Sequence, residues 1–224
     1  MSRKSYFVTA TDTECGKTFF SSALIGYLAK QGKAAGFKPI AAGCELIDGQ
    51  LKNEDALALQ QTSNVELVYS QINPIALEPA IAPHIAAAEA GIEITNNELT
   101  QAYQKFAQDN LDYLVVEGAG GWKLPLGNNN YLSDWVATQQ LPVILVVGLK
   151  LGCLNHALLT QESIKASGCN IVGWVANALH GDMPYMQQNI QTLQQAIDAP
   201  LLGVLPKLKN PTESLNFLNL SQLL

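Results

Sequence analysis

A few short stretches carry residues able to handle phosphate and a divalent cation. Gly16-Lys17-Thr18 closes a loop that leaves an apolar run at Thr9. Gly16 has no Cβ, so its backbone can approach an anion closely. The free N–H groups of a helix's first turn would then point at that anion with the helix dipole behind them. Lys17 would neutralise terminal phosphates, and the Thr18 hydroxyl would ligate Mg²⁺. Glu117 closes a second apolar run, and a carboxylate there suits Mg²⁺, which takes oxygen ligands shared between carboxylates and phosphates. The bland alternative for Glu117 is a helix N-terminal acid. Asp55, in Asn53-Glu54-Asp55-Ala56, is either a second metal ligand or a helix N-cap, and residue type alone favours the cap. Lys38 follows a third apolar run.

These residues must be positioned by elements that alternate along the chain. Strands are expected at 6–9, 34–37, 113–117, 143–147, 171–175 and 201–204. Helices are expected at 19–31, 55–61, 83–90, 97–110, 133–140, 155–166 and 183–197. Several strands are apolar without alternation, as strands buried on both faces are. This is the pattern of βαβ units, so the fold class is α/β: a P-loop NTPase-like fold with a mostly parallel sheet flanked by helices on both faces. No linker rich in Pro, Gly or Ser divides the chain, and residues 1–224 read as a single domain. In such sheets ligands bind beyond the carboxyl ends of the strands. The phosphate loop, Lys38 to Gly43, Glu117 to Trp122, Gly148 to Cys153 and Ala176-Asn177 all lie there. The loop departs from G-x-x-x-x-G-K-[ST], because Thr11 stands where the first glycine belongs and Ala10 precedes it. Gly127 to Asn130 reads as a turn or mobile loop, and the tail from Asn210 as a loose surface segment.

Hydrophobic residues make up 48% of the chain against 14% charged, with a net charge of -6, so a core is well supplied and no nucleic-acid partner is expected. No run reaches the roughly eighteen apolar residues of a membrane span. The basic residues Arg3 and Lys4 are followed by no signal-peptide core, which predicts a cytoplasmic protein without a membrane partner. Cys15, Cys44, Cys153 and Cys169 contain no C-x-x-C pair, so neither a zinc site nor a disulfide scaffold is indicated. His84, His156 and His180 receive no catalytic role.

Taken together, the ordered stretches resemble the dethiobiotin synthetases of the biotin pathway. They are Tyr6 to Thr9 leading into Thr11 to Thr18, Gly36 to Pro39, Asn53 to Ala56, and Val116 to Trp122. Pro142 to Val147, Lys150 to His156 and Gly173 to Asn177 continue the series. That family's loop carries one more residue than the common one, which accounts for the spacing. The resemblance implies an ATP- and Mg²⁺-dependent ligase that carboxylates 7,8-diaminopelargonate with CO₂ and closes a cyclic urea. By that resemblance Lys17, Lys38 and Thr13 are catalytic. Glu14, Cys15, Gly16, Lys17, Thr18 and Phe19 hold the nucleotide, with Asp55, Glu117, Gly118, Ala119 and Gly120. Asn177 reads the adenine edge beside Leu205, Pro206 and Lys207. Thr18, Asp55 and Glu117 hold Mg²⁺, which overrides the cap reading of Asp55. Substrate would meet Thr13, Lys38 and Ala42, together with the helix start at Gly152, Cys153 and Asn155. In the family that helix start and a tyrosine matching Tyr185 come from a partner subunit, so a homodimer is implied.

Three departures stand out: Ala10 replaces a loop glycine, Ala178 follows Asn177 where an acid is common, and Ala42 stands where a serine commonly contacts substrate. The last removes one hydrogen bond, worth roughly 0.5–1.5 kcal/mol. Ala42 therefore keeps open a paralogue acting on another diamine. An ATP-driven switch protein of the partition or nitrogenase-iron-protein kind is a further alternative. Those proteins usually carry an additional lysine where this chain has Asp12. A cobyrinate-type amide ligase would need a glutaminase domain, for which the chain has no room.

Overall fold

A computed structural model describes residues 3–179, 181 and 183–224, and His180 lies outside them. The chain runs β1 (Lys4–Ala10), α1 (Lys17–Leu28), β2 (Ala34–Phe37), β3 (Ile40–Ala41), β4 (Glu45–Ile47), β5 (Gln50–Lys52) and α2 (Glu54–Thr62). It continues through α3 (Tyr69–Ile72), β6 (Ile75–Ala76), α4 (Pro83–Glu89), α5 (Asn96–Lys105), β7 (Tyr113–Glu117), β8 (Pro125–Gly127), β9 (Asn130–Tyr131) and α6 (Leu132–Thr138). The last elements are β10 (Val143–Gly148), α7 (Cys153–Ala166), β11 (Ile171–Asn177), α8 (Met186–Ala196), β12 (Leu201–Leu205) and two 3-10 turns, Pro211–Asn216 and Ser221–Leu223.

Six strands form one parallel sheet in the order β12-β11-β10-β1-β7-β2. Alternate residues of each strand feed opposite faces. Tyr6, Val8 and Ala10 of β1 pack with Phe20, Leu24 and Leu28 of α1, while Phe7 faces the cluster built on α4, α5 and α6. Leu145, Val147, Trp174 and Ala176 pack with α7 and α8 on that second side. Burial on both faces explains why these strands read as unbroken apolar runs. β1 lies between β7 and β10, which its chain neighbours do not, so the crossovers diverge there and open a crevice beyond its carboxyl end. Among the described residues no helix is long and apolar enough to cross a membrane.

The expected strands and helices are present with shifted ends. α1 begins at Lys17 rather than Phe19, because the end of the phosphate loop is itself the first helical turn. α5 stops at Lys105, well short of Asn110, which takes φ +50°. Gly127 to Asn130 is an ordered turn between β8 and β9, with positive φ at Gly127, Asn128 and Asn129.

The tail is not loose. Asn210 caps its first turn by accepting from the Thr212 N–H, and Ser214, Leu220 and Leu223 are buried against α1 and β1. Tyr6 donates its hydroxyl proton to the Leu223 carbonyl. A Cβ on Gly203 would lie 2.0 Å from the Phe217 carbonyl oxygen, so glycine lets the tail close onto β12.

Candidate functional site

The register of the central strands creates the site. Phe37 pairs with Val116 across β2 and β7, so the next residues on each strand, Lys38 and Glu117, emerge side by side at the sheet's rim. Lys38 is held there by its own backbone: its N–H donates to Ile72 O at 2.8 Å and its carbonyl accepts from Asn73 Nδ2 at 2.8 Å. Its ammonium, 3% exposed as a residue, spends all three protons. They go to Glu117 Oε1 at 2.7 Å, Asp55 Oδ2 at 2.9 Å and Gly118 O at 3.2 Å.

Asp55 reaches this cluster because Asn53 takes the cap of α2. The Asn53 side chain accepts from the N–H groups of Asp55 at 3.0 Å and Ala56 at 3.4 Å. The cap reading of Asp55 is therefore wrong, and its carboxylate is left for the crevice. Thr18, in the first turn of α1, sits 2.6 Å from Asp55 Oδ1 and 2.9 Å from Glu117 Oε1. Burial works against charge on both Lys38 and Asp55, but their mutual attraction wins. Glu117 and Asp55 hold Lys38 above the ordinary lysine range, and Lys38 and Thr18 hold Asp55 below the ordinary carboxylate range.

The phosphate loop faces this cluster. Gly16 takes φ +82°, and a Cβ there would land 2.2 Å from Asn177 Nδ2, so glycine meets both a left-handed backbone and a close approach. Lys17 is buried, and burial followed by repulsion from Lys38 lowers its pKa. An anion in the loop would relieve both effects. Asp12 pairs with Lys150 at 2.7 Å and ties the loop to the end of β10.

A crevice of about 920 Å³ joins these groups. Thr13, Glu14, Gly16, Lys17, Thr18, Lys38, Ala42, Asp55, Ala119 and Gly120, to each of which the resemblance assigns a role, line it. Ala80 to Pro83 line it as well, a stretch whose alanines, isoleucine and proline carry no chemical signature in the sequence.

Other expected site residues lie elsewhere. Cys15 is buried against Gly148, and Gly118 packs on Phe7 while accepting from Lys38, so both offer backbone rather than side chains. Phe19 packs its ring on the cluster of α1 and β1. Asn177 is buried, with its amide donating to Cys15 O at 2.9 Å, and so it braces the loop. Leu205 is fully buried in the core, which removes its side chain from any pocket wall, while Pro206 is half-buried and Lys207 exposed beyond it. Gly152 and Asn155 are exposed, Cys153 is buried, and Tyr185 is 76% exposed; none of these lines the crevice.

The donor set fits a hard cation. Two carboxylates and a hydroxyl converge, and Glu117 Oε2 is buried without a hydrogen-bond partner. No group of three or more His, Cys, Asp or Glu forms a cage among the described residues, so phosphate oxygens and water would complete the shell, as Mg²⁺ usually requires.

Comparisons with known proteins give the family. Residues 4–214 match a family model described as an AAA domain. The ATP-dependent dethiobiotin synthetase BioD of Pseudoalteromonas translucida is 50% identical over 204 residues, covering 91% of this chain and 90% of its own. The chain belongs to the dethiobiotin synthetase family. The Aeromonas hydrophila member is 48% identical over 212 residues, covering 94% of both chains. As a dethiobiotin synthetase by family, the protein is an enzyme of the ATP-dependent ligase class.

Solved structures extend the fold alone. The septum site-determining protein MinD from Pyrococcus horikoshii, solved with Mg-ADP, superposes with a TM-score of 0.55 at 18% identity, covering 92% of this chain and 82% of that one. A ParA family ATPase from Chlorobium tepidum gives 0.53 at 12% identity, with 89% and 84% covered.

Proposed function

We propose that this enzyme couples ATP cleavage to the carboxylation and ring closure of 7,8-diaminopelargonate, yielding dethiobiotin, ADP and phosphate. One observation carries the reading. Lys17, Lys38, Thr18 and Asp55 line one crevice together with the apolar stretch from Ala80 to Pro83, and the buried Glu117 meets Lys38 and Thr18. Phosphate-handling groups and an apolar stretch in one crevice suit a substrate with reacting amines at one end and an aliphatic chain beyond.

In this scheme one amine attacks CO₂ and loses a proton, giving a carbamate. A carbamate oxygen takes the γ-phosphoryl group of ATP, and ADP leaves. The second amine attacks the carbonyl carbon, expels phosphate and loses a proton, and the cyclic urea closes. Negative charge gathers where the carbamate meets the phosphoryl group. Lys17 and Lys38 would be the cations that meet that charge. Thr18, Asp55 and Glu117 would hold Mg²⁺, which supplies charge neutralisation at the phosphates. Thr13, exposed at the crevice mouth, and Ala42 would contact the diamine. Asn177, with the backbone near Pro206 and Lys207, would border the base.

A homodimer belongs to this reading. The 96% exposed Leu151 and 76% exposed Tyr185 support a partner subunit covering the region around Gly152, Cys153 and Asn155. Incubation with Mg-ATP, ¹³C-bicarbonate and the diamine, followed by mass analysis, tests the proposal. The expected product carries the label in a cyclic urea; unlabelled or unchanged diamine would refute it.

A further inference from the structure

Lys38 makes contacts that a purely catalytic role does not require. Its ammonium sits between the two carboxylates proposed to take Mg²⁺, 2.7 Å from Glu117 Oε1 and 2.9 Å from Asp55 Oδ2, while Thr18 touches both acids as well. All three of its protons are used, and its side chain is only 4% exposed. Nearby, the second cation, Lys17, is also buried.

From this geometry we infer that Lys38 is a built-in counter-ion that keeps divalent metal off the empty enzyme and gives way only when metal arrives with nucleotide. The inference rests on the proposed assignment of Asp55, Glu117 and Thr18 as the metal's ligands. Two buried or half-buried carboxylates with no cation between them would attract a divalent ion by themselves. With Lys38 in place, one positive charge already compensates them, and an incoming metal would face that charge within a few ångströms at low effective dielectric. Nucleotide phosphates alter the balance, since they bring ligands for the metal and new negative charge for Lys17 and Lys38. Lys38 then exchanges carboxylate oxygens for phosphoryl or carbamate oxygens. The lysine is thereby delivered to the reacting group only when metal and nucleotide are both present. Lys38 is in this respect a specificity device: it ensures that the metal enters as the metal–nucleotide complex.

Mn²⁺ binding followed by electron paramagnetic resonance tests this without turnover. Nucleotide-free wild-type protein is expected to hold Mn²⁺ weakly. In the presence of ADP, Asp55→Asn and Glu117→Gln should each weaken Mn²⁺ binding; if neither does, the ligand assignment itself fails. Lys38→Met should raise the nucleotide-free Mn²⁺ affinity at least about tenfold by removing the competing charge. Because Lys38→Met leaves Glu117 buried without its partner and can fail to fold, the wild-type comparison stands on its own. Nucleotide-free wild-type protein that binds Mn²⁺ as tightly as the ADP complex would overturn the inference, as would a folded Lys38→Met variant with unchanged affinity.

Discussion

The energetic coupling between Lys38 and Glu117 is the quantity the site geometry constrains most tightly. The two side chains are 4% and 0% exposed and meet at 2.7 Å. Removing one member of a buried ion pair costs about 3–5 kcal/mol, because the other is left buried and uncompensated. Asp55 softens the loss on the lysine side, since it stays 2.9 Å from the ammonium and is itself 35% exposed. Glu117→Gln should therefore cost about 1–3 kcal/mol and Lys38→Met about 3–5 kcal/mol. The double variant leaves no bare charge on Glu117 or Lys38, so it should be less destabilised than the sum by about 1–3 kcal/mol. Urea unfolding of the four nucleotide-free proteins at neutral pH completes the cycle. Neutral pH lies inside the correct window. The folded pKa of Lys38 is raised, so its contribution is fully present below the unfolded lysine value and is lost as pH climbs through the folded value. Single-variant costs that add to within about 0.5 kcal/mol would show the pair to be uncoupled and refute the reasoning.

Three further outcomes are expected. Lys17→Gln should lower kcat/KM by about 10²–10³-fold while leaving circular dichroism unchanged, since the buried ammonium serves the anion rather than the core; unfolding at neutral pH would count against the assignment. The hydrogen bond from Lys150 holds the Asp12 carboxyl below its usual range, so its stabilisation is present above the unfolded carboxylate pKa and fades as pH falls through the folded value. Asp12→Asn should consequently lose less melting temperature on acidification than wild type does, and parallel curves would contradict the pairing. Leu223→Ala should cost about 2–4 kcal/mol in urea unfolding because the tail is part of the core; a neutral result would restore the loose tail expected from the sequence.

The main features of the site are legible in the sequence because strands deliver residues to a sheet rim in a regular way. Lys38 and Glu117 each follow an apolar run, and parallel pairing brings such positions together. Asp55 is harder to read, since its freedom to face the crevice depends on Asn53 taking the cap, a competition that two neighbouring cap-forming residues leave open. The tail is not legible because Leu215, Leu218, Leu220 and Leu223 together keep no single helical or strand period, and their burial depends on the gap that Gly203 leaves beside β12. Leu205 misled for the opposite reason. The resemblance gave its neighbourhood a nucleotide role, but its side chain points into the core. The stretch from Ala80 to Pro83 is apolar, and its significance lies in the crevice it lines, which composition does not reveal.

Phosphate release from Mg-ATP in the presence of bicarbonate, measured with and without 7,8-diaminopelargonate and set against the cyclic urea formed, tests the central claim most directly. Diamine-dependent release in a one-to-one ratio with dethiobiotin is the predicted result; release that ignores the diamine, or that yields no cyclic urea, would contradict it.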